Sequence, residues 1–231
     1  MDIKHHYIEQ GSGHPLILLH GNGGDSGYFS HQIGEFSKHY HVYALDTRGH
    51  GATPRGDKPF TIRQFADDLL AFMGEHGIDR ANILGFSDGG NMALIFAMKY
   101  PDRVDKLIVD GANLKPNGVE WRVQLRIELS YRIARALAGK SPEAKQKAEM
   151  QGLLVNDPNI EPAELSAITA KTLVMAGTED LIKREHTELI ANSIPGAELA
   201  FIEGDHSIAA TNPTAFNERV LRFLMEERDT P

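Results

Sequence analysis

Short runs of apolar residues alternate along the chain with longer stretches in which apolar residues recur every three or four positions. The short runs have the length and the turn-forming boundaries of buried β-strands. They lie at residues 15–20, 41–46, 82–86, 106–110, 172–176 and 199–203. An alternating segment at residues 4–9 predicts an additional edge strand.

The longer stretches predict amphipathic helices, because their apolar residues fall on one face at helical spacing. These helices cover residues 28–39, 61–76, 91–100, 183–193 and 214–227. Thr61 is a suitable N-cap for the second helix, and Gly77 is a suitable stop signal after it. Strands that alternate with helices predict an α/β fold, with a doubly wound and mostly parallel sheet covered on both faces.

One stretch, residues 114–168, carries no strand signal. Within it, residues 119–137 read as a helix because Val123, Ile127 and Tyr131 are spaced by four. Ser141 and Pro142 have the pattern that opens a second helix. The stretch is too short for a full core of its own. We therefore expect a single domain over residues 1–231, with residues 114–168 as a helical cap over the carboxyl edge of the sheet.

Composition narrows the possible functions. The chain has 231 residues, of which 41% are hydrophobic and 24% are charged, as is typical of globular proteins. Its net charge is −8, whereas a protein that binds nucleic acid usually has an excess of positive charge. The absence of cysteine excludes disulfides, thiolate metal sites and a cysteine nucleophile. The first residues lack the apolar core of a signal peptide, and no window has the roughly 20 apolar residues of a membrane helix. We expect a cytoplasmic protein that binds neither membranes nor nucleic acids, and the sequence leaves its oligomeric state open.

A serine lies at the junction of a predicted strand and a buried helix. Residues 85–89 read Gly-Phe-Ser-Asp-Gly, which fits the pattern G-x-S-x-G in the context that this pattern requires. A nucleophile on so sharp a turn needs small neighbours two positions away, and Gly85 and Gly89 supply them. The N-terminus of the following helix favours negative charge at the site. Ser87 is therefore the candidate nucleophile.

A serine hydroxyl is a weak nucleophile and needs a base, which in turn needs an orienting carboxylate. His206 follows the last predicted strand, and Asp180 follows the strand before it. The chain order Ser, Asp, His is the one expected when these residues end strands of a doubly wound sheet. Glu179 and Asp110 are the alternatives for the orienting carboxylate.

The first central strand ends in a glycine-rich turn, residues 20–24, where a backbone N–H can approach a substrate oxygen. The N–H groups of Asn22 and Asp88 are candidates for an oxyanion hole. The turn also resembles part of a dinucleotide-binding fingerprint, with Asp46 after the next strand, but Ser26 stands at the third glycine position. A nucleotide-binding site would leave the serine turn unexplained, so we expect no cofactor.

Residues 185–188, Glu-His-Thr-Glu, resemble a metal-binding cluster only superficially. We interpret them as the solvent-exposed face of a helix, and we expect no metal.

In combination these motifs resemble the α/β-hydrolase superfamily over nearly the whole chain. The residues that carry the resemblance are His20-Gly21, the loop 46–51, the turn 85–90, residues 177–180 and residues 204–206. The resemblance implies Ser87 as nucleophile, Asp180 as acid, His206 as base and the Asn22 and Asp88 amides as oxyanion hole. It also implies an architectural role for His20 and the loop 46–51, and a cap at residues 114–168.

Three departures from the family pattern stand out. The chain begins late relative to the usual eight strands, so we expect about seven. Asp205 stands where glycine is common, which adds a carboxylate beside the base. The cap is short, which suggests an open pocket.

The expected activity is hydrolysis of a small carboxylic ester or a related acyl bond through an acyl-serine. The Ser-Asp-Gly-Gly turn is similar to that of valacyclovir-hydrolase-like esterases, which implies that Asp88 could bind the amine of an aminoacyl ester. Alternatively, the negative charge of Asp88 only stabilises the N-terminus of the helix that follows Ser87. In the cap, Trp121, Leu125 and Tyr131 either line an acyl pocket or pack the cap onto the body. Aminoacyl-ester, lactone and C–C bond hydrolysis remain alternatives on the same residues, as does a small-molecule receptor that hydrolyses slowly.

Overall fold

The computed structural model describes residues 2–226. Seven strands form a sheet in the order β1–β3–β2–β4–β5–β6–β7. The strands are β1 (Tyr7–Gln10), β2 (Pro15–Leu19), β3 (His41–Leu45), β4 (Ala81–Phe86), β5 (Val104–Asp110), β6 (Lys171–Gly177) and β7 (Glu198–Ile202). All neighbouring strands run parallel except β1, which pairs antiparallel with β3 at the edge. The predicted fold class is confirmed.

Helices fill the connections between the strands. They are α1 (Ser30–Phe36), α2 (Ile62–Glu75), α3 (Asp88–Lys99), α4 (Trp121–Leu137), α5 (Pro142–Asn156), α6 (Arg184–Ser193), α7 (Ile208–Thr211) and α8 (Pro213–Met225). The predicted end of the last helix, Glu227, lies outside the described residues. Within residues 2–226, no helix has the length and apolar character needed to cross a membrane.

Alternation along each strand produces two separate apolar cores. In β2, Ile17 and Leu19 point to the core formed with α2, α3 and α6, whereas Leu16 and Leu18 point to the core formed with α1, α7 and α8. All four side chains are fully buried. Both faces of the central strands are therefore covered, which is why these strands read as continuous apolar runs.

The predicted helix signals are present in the structure. Thr61 Oγ1 accepts a hydrogen bond from the Gln64 N–H, and Ser141 Oγ accepts one from the Ala144 N–H. Gly77 ends α2 with φ +65°, a conformation that favours glycine. The helix predicted from residue 28 differs, since a 3₁₀ turn at Ser26–Phe29 precedes α1. Asp25 Oδ1 accepts from the Gly27 N–H and caps that turn.

The stretch predicted to be free of strands, residues 114–168, contains α4 and α5, which pack against each other. The helix α5 is also tied to the body of the molecule. The Gln146 side-chain amide donates to the Gly49 carbonyl oxygen at 2.9 Å. The Arg55 guanidinium donates to both carboxylate oxygens of Glu149 at 2.9 and 3.0 Å. These contacts hold α5 above the loop that follows β3.

That loop is anchored from below by a buried cation. Arg48 is fully buried and donates through Nε and Nη2 to the two oxygens of Asp68 in α2, at 2.7 and 2.8 Å. It also donates to both oxygens of Asp2, at 2.7 and 2.9 Å. A buried guanidinium is tolerated when its donors are satisfied in this way.

Candidate active site

Ser87 occupies a sharp turn between β4 and α3. Its backbone has φ +52° and ψ −119°, a region that costs a residue with a side chain about 1–3 kcal/mol. A Cβ at Gly85 would lie 2.2 Å from the Gly89 carbonyl oxygen, and one at Gly89 would lie 2.1 Å from the Leu19 carbonyl oxygen. Only glycine fits at these two positions, as the sequence argument requires.

Two side chains that are distant in the chain meet Ser87 at the carboxyl edge of the sheet. His206 Nε2 lies 3.1 Å from Ser87 Oγ, and His206 Nδ1 lies 2.7 Å from Asp180 Oδ1. The Asp180 side chain is 2% exposed and that of His206 is 17% exposed. With Nδ1–H donating to the carboxylate, Nε2 is free to accept the serine proton, so this arrangement can generate an alkoxide nucleophile.

The backbone fixes the position of Asp180. Its Oδ1 accepts from the Ile182 N–H at 2.8 Å, and its Oδ2 faces the Gly177 N–H at 3.4 Å. The alternative acid Glu179 is exposed. The structure therefore places Asp180, and not Glu179, against the imidazole.

The other alternative, Asp110, ends β5 beside the same site. It is fully buried, and neither of its carboxylate oxygens has a hydrogen-bond partner among the described residues. Burial, together with the negative charge of Asp180, raises the pKa of Asp110 well above its ordinary value. Asp110 therefore stays protonated where exposed aspartates are ionised, and it does not pair with His206.

We expect Asp110→Asn to change the pH dependence of stability. The folded wild type keeps the Asp110 proton above pH about 4, where the unfolded chain loses it, so wild-type stability falls as pH rises through this range. Asparagine does not titrate. The free energy of unfolding of the variant, measured by urea denaturation from pH 4 to 9, should rise relative to wild type as pH increases. Asp102→Asn, at an exposed position, is the control, and parallel curves for wild type and Asp110→Asn would contradict the assignment.

The glycine-rich turn after β2 is held by His20, as the resemblance implies. His20 Nδ1 donates to the Gly21 carbonyl oxygen at 2.7 Å, and Nε2 accepts from the Thr47 N–H at 3.1 Å. Among the described residues, the Asn22 backbone N–H has no hydrogen-bond acceptor. The N–H of Asp88 opens α3 and so has no acceptor within the helix. Both predicted oxyanion donors are therefore available.

The Asp88 side chain is buried and faces Asn22. Asp88 Oδ2 accepts from Asn22 Nδ2 at 2.9 Å, and Asp88 Oδ1 accepts from Asn91 Nδ2 at 3.3 Å. Burial raises the pKa of Asp88 to about 6, against the opposing effect of the Asn22 hydrogen bond. Asn22 Nδ2 also donates to the Met150 carbonyl oxygen in α5 at 3.0 Å. One amide group thus connects the turn after β2, the serine turn and the cap, a connection that the sequence did not reveal.

The cavity beside Asp88 is small. It has a volume of about 10 Å³ and is lined in part by His20, Asn22, His50 and Met92. That volume matches a single water molecule. The cavity therefore accommodates a group of about the size of one water molecule next to the carboxylate.

Several other side chains considered from the sequence make local contacts. Asp46 accepts from the Ser26 and Ala52 N–H groups and from His6, so its oxygens are not free for a ribose. His186 Nε2 accepts from the Leu114 N–H at 2.9 Å. Asp205 Oδ1 accepts from the Ser207 N–H at 2.8 Å, which turns its carboxylate toward the start of α7.

The cap residues singled out from the sequence lie in different environments. Tyr131 is half-buried and lines an open cleft of about 350 Å³ between the cap and the start of α2, together with Phe60, Gly152 and Asp157. Trp121 and Leu125 are 62% and 59% exposed. These two side chains neither pack the cap onto the body nor line that cleft.

Two aromatic residues that the sequence analysis did not select support the imidazole. The Phe86 ring lies 4.9 Å from the His206 ring, and Tyr28 stacks on Phe86 with a centroid distance of 4.5 Å. Phe86 is the second residue of the G-x-S-x-G pattern, so its place beside Ser87 was visible, but its contact with His206 depends on the fold.

Comparisons with known proteins agree with this geometry. Residues 14–131 match the sequence model of a family described as alpha/beta hydrolase fold. RutD of Caulobacter segnis, named as a putative carbamate hydrolase, is 25% identical over 90% of each chain. RutD of Rhizobium rhizogenes, which carries the same name, is 28% identical over 97% of each chain.

Two solved structures are also similar to this chain. The enol-lactonase from Burkholderia xenovorans LB400 is 25% identical, covers 97% of each chain and superposes with a TM-score of 0.80. Est816, described as an N-acyl homoserine lactone degrading enzyme, is 29% identical, with coverage of 96% of this chain and 97% of that chain and a TM-score of 0.76.

Proposed function

The chain belongs to the α/β-hydrolase fold family, whose relatives named above are hydrolases, and we propose that it is a serine hydrolase that cleaves a small carboxylic ester or a related acyl bond. In this proposal Ser87 is the nucleophile, His206 the general base and Asp180 the residue that orients the base. The Asn22 and Asp88 backbone N–H groups form the oxyanion hole.

One observation carries the proposal. Ser87, His206 and Asp180 follow three different strands, and their side chains form a continuous chain of hydrogen bonds of 3.1 and 2.7 Å. A buried carboxylate, an imidazole and a serine at φ +52° have no common structural need to meet. Their convergence at one edge of the sheet is what nucleophilic acyl transfer requires.

The acylation half of the mechanism follows from the geometry. His206 Nε2 removes the Ser87 proton while Oγ attacks the substrate carbonyl carbon, and the carbonyl oxygen becomes an oxyanion between the two N–H donors. The Asp180 carboxylate, which accepts the His206 Nδ1–H, stabilises the imidazolium. His206 then gives its proton to the leaving alcohol, and the acyl-serine remains.

Deacylation repeats these steps with water. His206 takes a proton from a water molecule, the resulting hydroxide attacks the acyl carbon, and the proton returns to Ser87 Oγ as the acid leaves. Each half uses the same oxyanion donors, which begin the step in place and need no reorganisation.

The test combines labelling with turnover. A fluorophosphonate probe should label the wild type at Ser87, as located by mass spectrometry of the peptide. A panel of esters that vary in acyl length should then show multiple turnovers. Labelling that is followed by a single turnover would favour the alternative of a small-molecule receptor, and absence of labelling would remove the proposal.

Lactone opening is the second candidate, since two structures similar to this chain are described as acting on lactones. A lactone is an internal ester, so the same acyl-serine forms and the alcohol stays attached to the acyl group. The panel should therefore include enol-lactones and acyl homoserine lactones. A carbamate should also be included because of the RutD relatives, and it should show a burst, since the nitrogen lone pair slows attack on the carbamoyl-serine.

The contacts of Asp88 favour a positioning role over amine binding. Both of its oxygens accept amide hydrogen bonds, and one of these donors belongs to Asn22, whose backbone N–H is one of the two proposed oxyanion donors. Asp88→Asn replaces one acceptor by an NH₂ group opposite another NH₂ group. We expect kcat/KM to fall by about tenfold to a hundredfold on aminoacyl and plain acyl esters alike, which is less than the roughly 10²–10³-fold cost of removing an oxyanion donor because the Asn22 backbone N–H is displaced and not lost.

The comparison of the two ester classes decides between the roles. A loss confined to aminoacyl esters would assign Asp88 to substrate amine recognition and reject positioning. Asp79→Asn, at a carboxylate that is 91% exposed, controls for the change in net charge.

A further inference from the structure

The cap helix α4 presents an apolar ridge to solvent. Trp121, Leu125, Leu129, Ile133 and Leu137 are 62%, 59%, 59%, 54% and 38% exposed. The other exposed large apolar side chains in residues 2–226 are four in number, are 36–50% exposed, and lie on four different elements. Val123, Ile127 and Tyr131 form a separate half-buried row on α4, and Tyr131 lies against Gly152 of α5. The ridge is thus an additional apolar face that no other part of residues 2–226 covers.

The ridge is large for a monomer surface. At roughly 200 Å² for a whole large apolar side chain, the exposed fractions amount to about 500 Å² in one continuous strip. Single exposed apolar residues are normal, but continuous patches of this size mark interaction sites.

The spacing of the ridge is self-complementary. Its members are separated by four positions each, so they form one i±4 row, and two such rows interdigitate when helices cross at about −50°. The row is also symmetric about its middle member. A twofold axis at Leu129 pairs Leu129 with Leu129, Leu125 with Ile133, and Trp121 with Leu137.

From this geometry we propose that α4 is a homodimer interface, in which the ridges of two copies of this chain pack against each other in antiparallel orientation about a twofold axis at Leu129. A twofold interface buries the same patch on both copies. Two ridges bring about 1,000 Å² of apolar surface together, which reaches the lower range of specific interfaces. The aliphatic parts of the arginine side chains beside the ridge would add to this buried area.

Charge is consistent with this arrangement. The exposed polar positions of α4 include Arg122, Arg126, Arg132 and Arg135, and none of them forms an ion pair within residues 2–226. The whole chain nevertheless carries −8, so the remainder of the molecule is strongly acidic. The arginines beside the ridge are therefore opposite in sign to the net charge of the partner copy.

The mass in solution tests the proposal directly. Sedimentation velocity and light scattering at 1–100 µM should give twice 25.5 kDa for the wild type. Leu129→Glu places two carboxylates on the twofold axis and should raise the dimer dissociation constant at least a hundredfold. Leu189→Glu, at a 40% exposed position on α6, is the matched control and should stay dimeric. Circular dichroism and ester turnover verify that both variants fold.

Cross-linking tests the register. Because the chain has no cysteine, Leu129→Cys carries a single thiol, and a short bis-maleimide should join two copies of it, whereas Leu189→Cys should remain uncoupled. A wild-type mass of 25.5 kDa at 100 µM would overturn the proposal, as would a Leu129→Glu variant that remains a dimer. A monomer that co-sediments with vesicles of phosphatidylcholine and phosphatidylserine would assign the ridge to a lipid surface instead.

Discussion

Ser87→Ala is expected to lower kcat/KM by about 10⁴-fold or more on every substrate that the wild type hydrolyses. Alanine removes the oxygen that attacks the carbonyl carbon, and with it the acyl-serine route. The oxyanion donors and the imidazole remain, so a small rate above that of water can persist. Fluorophosphonate labelling should disappear together with turnover, and the rate on the best ester of the panel is the measurement.

The control for this variant must separate chemistry from folding. Alanine keeps the Cβ that Ser87 already has, and its backbone strain at φ +52° is the same, so the melting temperature should change little. Ser193→Ala removes a hydroxyl of α6 whose partner among the described residues is the Leu189 carbonyl oxygen of the same helix, and the variant should keep both label and activity. Turnover by Ser87→Ala within tenfold of wild type would reject Ser87 as the nucleophile.

Asp68→Asn is expected to cause the largest loss of stability, about 3–5 kcal/mol in the free energy of unfolding. The substitution removes one of the two carboxylates that neutralise the buried Arg48 guanidinium, and an amide NH₂ group then faces a guanidinium donor. Arg48 is fully buried, so water cannot replace the lost acceptor. Urea denaturation at neutral pH measures the change.

The neighbouring residue supplies a matched control. Asp67 lies one position earlier on α2 and pairs with Lys99 at the surface, where the Asp67 side chain is 39% exposed. Surface ion pairs contribute about 0–1 kcal/mol, so Asp67→Asn should have a small effect. Equal losses for the two variants would mean that Arg48 is not held as the structure indicates.

Much of the candidate site could be predicted because it depends on strand ends. Parallel strands bring their carboxyl ends to one edge, so residues that follow them, such as Ser87, Asp180 and His206, must be near one another. The glycines at positions 85 and 89 could be interpreted directly, because a sharp turn with close backbone contacts requires residues without a side chain. These inferences need the order of the elements and not the conformation of any side chain.

The remaining features depend on side-chain direction, which periodicity does not give. Helix α4 carries two apolar rows at the same spacing of four, one through Ile127 and one through Leu129. The first is half-buried and the second is exposed. Nothing in the sequence says which row packs inward, so Trp121 and Leu125 were considered as pocket residues. The contacts of Asn22 with Asp88 and Met150 were hidden for the same reason, since they join three segments.

Trp121 has a practical consequence for study of the molecule, because it is the only tryptophan in the chain. All intrinsic indole emission therefore originates at one end of the α4 ridge, where the side chain is 62% exposed. The wavelength of that emission shows whether the α4 ridge around Trp121 is exposed to solvent or buried by another molecule. It does so without any label, in the same sample in which catalysis is measured.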